Sequence, residues 1–302
     1  MFKDVLADSA VRILSESGFR VVDCRGSRSS FDILARRGER LLLVKTLANV
    51  EGLSREGVMQ LKSVSGLLGG IPMIVSKRMK SSELADDVVY DRYGVCVSNL
   101  RTLDRMINDI PPTVHSKRGA YCVKVNSDRL SLERRKMGLT QESLAKRLGV
   151  SKQSVYRYES SGSVSLEVFS RLRNLFGDGL AEHESSLEIP SPDSSSAADM
   201  RGSNLKMMVR QEFETIGFDT SLTNAPFDIL AAHDKRVLSV VSNDWRRLND
   251  KLHILEEVSE LVEGYSVCIS ERKVKSDVSV LNPGQLAKIK SAGELFKLLT
   301  DK

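Results

Sequence analysis

What the 302 residues lack narrows the field first. No stretch approaches the roughly 18 apolar residues of a membrane span; Leu41-Leu42-Leu43-Val44 is among the longest runs. The N-terminus mixes Lys3, Asp4, Asp8 and Arg12 with apolar residues and has no cleavable apolar core, so secretion is not expected and a cytoplasmic location is. Cysteine is scarce. Cys24, Cys96, Cys122 and Cys268 lie far apart with no CxxC pair, which speaks against a zinc site or a disulfide frame and for free thiols in a reducing compartment. His115, His183, His233 and His253 are scattered too. No glycine-rich phosphate loop, metal-spaced histidine cluster or nucleophile triad is visible, so neither a cofactor nor a resident metal is expected.

What is present fits a soluble globular chain, with 41% apolar and 28% charged residues. Its length suits about two or three domains, each with its own core. The net charge of +5 is unevenly spread. Residues Met1–Val114 carry 17 basic and 14 acidic side chains, and Gly179–Lys302 carry 15 and 20. Between them, His115–Asp178 carry 13 basic against only 6 acidic. Positive charge concentrated in the middle suits a segment that meets a phosphate backbone.

The chain also repeats itself. Phe31-Asp32-Ile33-Leu34-Ala35 returns unchanged as Phe227-Asp228-Ile229-Leu230-Ala231. Gly18-Phe19 upstream answers to Gly217-Phe218. Downstream, Arg40–Val44 answers to Arg236–Val240, Asn49 to Asn243, and Gly70–Ser76 to Gly264–Ser270. Matches in the same order imply two copies of one domain. Each reads as helix, strand, strand, helix, strand: an α/β layer with a small mixed sheet. Gly18 and Gly217 stand where a helix end wants a left-handed residue. A turn at Arg37-Gly38-Glu39 predicts a hairpin between Phe31–Ala35 and Leu41–Lys45. A helix over Ser54–Leu68 then leads to an interior strand over Met73–Ser76. The polar stretch between Asp178 and Ser203 reads as a flexible linker, and Pro111-Pro112 as a second boundary. The expected domains are therefore residues 1–110, 119–178 and 204–302, with a linker over 179–203.

The middle segment carries the most specific pattern. Thr140 is a natural N-cap for a helix whose apolar stripe is Leu144, Ala145 and Leu148. Gly149 falls where a tight turn needs positive φ. Ser151 caps a second helix, with Val155 and Tyr158 facing inward. Lys152, Gln153, Ser154 and Arg157 then point outward near its start, where Gln can read adenine and Arg or Lys guanine in a major groove. Thr140–Glu159 resembles the Cro and phage-repressor class of helix-turn-helix. Leu130–Met137 is similar to that class's first helix, and Ser165–Phe176 supplies a following one with Val168, Leu172, Leu175 and Phe176 on one face. The resemblance implies that Gln141 touches a phosphate, that Lys152, Gln153 and Arg157 contact bases, and that the protein binds double-stranded DNA as a homodimer. The expected central domain is all-α.

The flanking copies resemble the restriction-endonuclease-like fold, most closely archaeal Holliday-junction resolvases. The likeness rests on Glu16, Gly18-Phe19, Gly26-Ser27, Asp32 and Lys45. In that family a strand aspartate and a Glu-x-Lys on the next strand hold Mg²⁺ and activate water. Here Asp32 and Lys45 survive, but Leu43 stands at the glutamate position. In the second copy Asp228 survives, with Ser239 and Val241 aligned to the glutamate and lysine positions. The resemblance therefore implies a vestigial centre and no cleavage. The whole order of domains is similar to a family of archaeal transcription regulators, with the helix-turn-helix reading an operator and the flanking copies serving assembly. The alternatives are a Mg²⁺-dependent DNA endonuclease targeted by the helix-turn-helix, and a protein-interaction adaptor on DNA.

Overall fold

The computed structural model describes residues 2–300 apart from 27–28, 111, 118–119, 183–202, 225, 244–247 and 273–275. Most of the linker expected over 179–203 therefore lies outside the described residues. The chain forms two units, Met1–Ser81 with Leu187–Lys302, and Ser82–Ser186. No helix among the described residues is long and apolar enough to cross a membrane.

The first copy opens with α1 (Phe2–Glu16), which buries Ala7, Ala10 and Leu14 at helical spacing. It ends at Gly18, whose φ of +81° is a conformation that glycine adopts without strain. Then come β1 (Arg20–Asp23), β2 (Ile33–Arg37), β3 (Arg40–Asn49), α2 (Arg55–Leu68) and β4 (Ile71–Met79). The strands β1, β2 and β3 run antiparallel, with the expected turn between Arg37 and Arg40. Helix α2 starts where the Ser54 side chain accepts the Gly57 N–H, and it carries the chain across so that β4 lies parallel to β3.

The second unit contains β5 (Ser82–Glu83), β6 (Val88–Arg92), β7 (Val95–Ser98), α3 (Leu100–Ile107), β8 (Val114–Lys117) and β9 (Ala120–Lys124). The helices α4 (Ser127–Lys136), α5 (Gln141–Leu148) and α6 (Lys152–Ser161), the strand β10 (Ser163–Ser165) and α7 (Leu166–Phe176) follow. Parallel pairing of β6 with β8 ties residues 82–110 to the helical part. The helical part is also not purely helical. Strand β10 leaves α6 at once and pairs with β9, which is itself paired with β8. Val123 and Val164 from these strands are buried in the same core as Leu144, Leu148, Val155 and Leu172. Three- and five-residue strands are too short to show an alternating pattern, which is why an all-α domain was expected from sequence.

The second copy repeats the first. Its elements are α8 (Asn204–Thr215), β11 (Asp219–Leu222), β12 (Ile229–Ala232), β13 (Arg236–Val241), α9 (Leu248–Leu261) and β14 (Tyr265–Ile269), extended by β15 (Ser279–Leu281), α10 (Pro283–Leu286) and α11 (Ala292–Thr300). The pairing is again antiparallel from β11 to β13 and parallel from β13 to β14. Gly217, at the end of α8, repeats the positive φ of Gly18 at +98°.

One expectation from sequence is corrected here. Ile33 faces Val44 with ten residues between them, whereas Ile229 faces Ser239 with nine. The second hairpin is one residue shorter, and since hairpin length sets register, every position of β13 moves by one. Ser239 therefore stands at the place of Val44, Val240 at that of Lys45, and Leu238 at that of Leu43. The equal-spacing alignment of Ser239 and Val241 with the catalytic positions is one residue out.

The copies pair with each other inside the chain, by reciprocal contacts. Helix α2 packs on β11 and β12, and its counterpart α9 packs on β1 and β2. Phe31 and Phe227, the first residues of the repeated pentapeptide, are fully buried with ring centroids 6.2 Å apart. The Arg36 guanidinium donates to the Leu261 carbonyl at 2.8 Å, and that of Arg236 donates to the Leu67 carbonyl at 3.3 Å. Leu67 and Leu261 each lie three residues before the glycine that precedes the next strand, so each copy supplies a cation to the carbonyl end of the other's helix. Gln60 of α2 adds a bond to the Leu222 carbonyl at 3.0 Å.

Truncating one ring of this pair should be felt by both copies. Phe227→Ala is expected to cost about 4 kcal/mol in urea unfolding, the usual range for a buried Phe. It should also shift the amide spectrum of α1–β4, and a spectral change confined to residues 204–302 would contradict the pairing.

Candidate nucleic-acid interface

The helix-turn-helix is built from its caps inward. Thr140 accepts the Ser143 N–H and Ser151 accepts the Ser154 N–H, both at 3.0 Å, so α5 and α6 begin at the expected residues. Gly149 turns between them at φ +63°. An added Cβ there would come within 2.9 Å of the Arg171 guanidinium, which donates to the Leu148 carbonyl at 2.6 Å. Leu144, Ala145 and Leu148 of α5 meet Val155 and Tyr158 of α6 in one buried cluster with Val168 and Leu172 of α7.

A buried ion pair braces these helices. Arg134 of α4 grips Glu159 of α6 with two nitrogens at 2.5 and 3.1 Å, and both side chains are about nine-tenths buried. The same guanidinium donates to the Leu139 carbonyl at 2.8 Å. Gln141 of α5 gives its amide to the second Glu159 oxygen at 2.8 Å. Burial alone would push the Glu159 carboxyl up, but the bonds from Arg134 and Gln141 outweigh it and hold the carboxyl below its ordinary value. Removing one partner of such a pair strands the other's charge.

The residues expected to meet DNA separate into two groups. Lys152, Gln153 and Arg157 are exposed on α6, and none of their polar side-chain atoms is bonded among the described residues. Lys146 on α5 is 79% exposed. Gln141 and Ser154 are only part-exposed and are engaged within the fold. Gln141 holds Glu159, and the Ser154 hydroxyl meets that of Ser151 at 2.9 Å. Sequence reasoning did not find Glu159 and Arg134, because two charged residues 25 positions apart give no local signal.

The nuclease-like centres are of another kind. Asp32 is fully buried just before β2. One oxygen meets the Lys45 ammonium at 3.1 Å, and the other accepts the Thr46 N–H at 2.8 Å and its hydroxyl at 3.0 Å. Lys45 also donates to the Ser29 carbonyl. Leu43, where the metal-binding family has its glutamate, is buried and apolar. In the second copy Asp228 accepts the Val241 N–H at 2.8 Å in the same way. With Val240 in place of the lysine, its cations come from elsewhere: Lys206 of α8 at 2.6 Å and Lys251 of α9 at 3.4 Å. Among the described residues no three His, Cys, Asp or Glu side chains converge as a metal site would require. A lone carboxylate already committed to a lysine and to backbone does not fit the divalent cation of the nuclease family.

A PD-(D/E)XK superfamily domain is matched over residues 3–112 and a helix-turn-helix over residues 130–179. Relatives extend along the full length. A protein of Thermoplasma acidophilum is 32% identical, covering 98% of this chain and 97% of its own length. One of Archaeoglobus fulgidus is 29% identical with 98% and 97% covered, and one of Methanocaldococcus jannaschii is 27% identical with 98% and 96% covered. All three are provisionally named HTH-type transcriptional regulatory proteins. No solved structure matches the chain.

The brace sets a pH dependence. A carboxyl held below 4.5 in the folded state stabilises it above that pH and loses the contribution as pH falls through the lower folded value. Thermal unfolding of the helix-turn-helix should therefore be level between pH 7 and 5 and decline below about 4.5. Glu159→Gln should begin lower and lack that share of the decline. Arg134→Ala should cost about 3 kcal/mol at pH 7.

Proposed function

The chain belongs to the family of archaeal HTH-type transcriptional regulatory proteins, and we propose that it regulates transcription by reading a specific duplex sequence with α6 in the major groove. The observation that carries this reading is the exposed set Lys152, Gln153 and Arg157, whose side-chain donors make no hydrogen bond or ion pair among the described residues (the Arg157 guanidinium lies 6.0 Å from the Tyr158 ring centre), on a helix whose opposite face is pinned by Val155, Tyr158 and the Arg134–Glu159 pair. A rigid helix with free donors at its start has the geometry that base-edge readout requires. The excess of basic residues in this segment adds the sequence-independent attraction to phosphates, with Lys146 as one contributor. Gln141 and Ser154 act here by orienting the reading helix.

The flanking copies serve assembly, and they do so within the chain. One chain carries one helix-turn-helix, so a two-fold operator with half-sites about 10–10.5 base pairs apart is read by a homodimer. The contact between chains then lies outside the faces that the two copies cover on each other. The matched nuclease superfamily favours a second reading, DNA cleavage. The commitment of Asp32 to Lys45 and Thr46 argues against it.

Selection of a binding site from random duplex supplies the test. Gln153→Ala and Arg157→Ala should each weaken the selected site by about 1–3 kcal/mol and relax one base position, whereas Lys146→Ala should weaken all sequences alike. Unchanged affinity and preference in Gln153→Ala would remove α6 as the reading helix. With Mg²⁺ or Mn²⁺, duplex, single-stranded and four-way-junction DNA should stay intact, and cleavage abolished by Asp32→Ala would establish the nuclease instead.

A further inference from the structure

The outward face of α6 holds one large side chain that the readout described above leaves unused. Tyr156 is 63% exposed, more than any other large apolar or aromatic residue among the described residues of the second unit. Neither its ring nor its hydroxyl has a partner among the described residues. Its neighbours on the helix explain where it points. At 100° per residue, with Lys152 at 0°, Tyr156 falls at about 40°, Gln153 at about 100° and Arg157 at about 140°. Val155 and Tyr158, the buried residues, fall at about 300° and 240°. Tyr156 thus lies inside the arc bounded by Lys152 and Arg157 and away from the core. A groove wall that meets Lys152, Gln153 and Arg157 must also meet the ring between them.

We propose that Tyr156 is a specificity-determining residue that reads the 5-methyl group of a thymine beside the base recognised by Gln153. This rests on α6 being the reading helix. An uncharged ring cannot make the two-pronged contacts of Gln or Arg to base edges. The apolar feature offered by the major groove is the thymine methyl, and burying it against the ring removes apolar surface of both partners from water. The Ser154 hydroxyl, the other small group near the start of the helix, is taken by Ser151 and does not compete for this place.

Removing the methyl alone tests the assignment. The selected site is prepared with each thymine replaced singly by uracil, and binding is measured by fluorescence anisotropy. Wild-type protein should lose about fourfold in affinity at one position, the worth of one buried methyl group. Tyr156→Ala should lose a comparable factor on the thymine duplex and show no further loss with uracil there. Tyr156→Phe should retain the discrimination, because the ring makes the contact. Equal sensitivity of Tyr156→Ala and wild type to uracil at every position would overturn the proposal. So would a Tyr156→Phe variant weakened on all sequences alike, since that marks a hydroxyl bond to phosphate. The residue is exposed, so all variants should melt with the wild type. If Gln153→Ala and Arg157→Ala also bind normally, the choice of α6 has failed; if they are weakened and Tyr156→Ala is not, only the present assignment has.

Discussion

The burial of Phe31 against Phe227 is the constraint on which the duplicated part of the protein depends. Each copy has a four- or five-stranded mixed sheet with a crossover helix, and α2 and α9 each lie against strands of the other copy. Each copy builds a core of its own on one side of its sheet and shares the cover of the other side with its counterpart. The reciprocal arginines strengthen this arrangement. Arg36 and Arg236 close on opposite helix ends at the cost of bringing two like charges together. Burial first, and then repulsion from Arg36, make the Arg236 guanidinium slightly easier to deprotonate. Two helix carboxyl ends offset that cost. Because both copies lie in one chain, their association does not depend on protein concentration.

Much of this was legible in sequence, and the failures have specific causes. The helices, the hairpin turn at Gly38, the caps at Thr140 and Ser151 and the turn at Gly149 were read from local patterns, and local patterns are what set them. The register of β13 was misread because Arg40 and Arg236 look alike, while the missing residue lies in the loop between strands, where identity carries no signal. Lys206 and Lys251 replace the lost lysine of the second copy from helices that precede and follow the strand pair, a substitution visible only through space. Glu159 stands within α6 as one more polar residue, and its partner Arg134 belongs to a different helix. The bond from the Gln141 amide to Glu159 is likewise visible only through space, and leaves the second N–H of that amide for the phosphate that the resemblance implies.

The buried aspartates of the two copies obey one physical constraint. A buried aspartate at the start of a strand is costly unless every oxygen is engaged. Both copies solve this identically on one side, with a backbone N–H from the next strand. They differ on the other side, where Lys45 serves the first copy and two helix lysines serve the second. What is retained is the engagement of the carboxylate, while the residue that supplies it has changed. That pattern fits a structural requirement, since chemistry would demand the lysine in one fixed place relative to a second carboxylate. The aspartates therefore anchor β2 to β3 and β12 to β13, and hold in place the loops that carry Phe31 and Phe227. In the helix-turn-helix, Glu159 and Arg134 do for α6 what Asp32 and Lys45 do for β2: they fix an element by a buried charge pair.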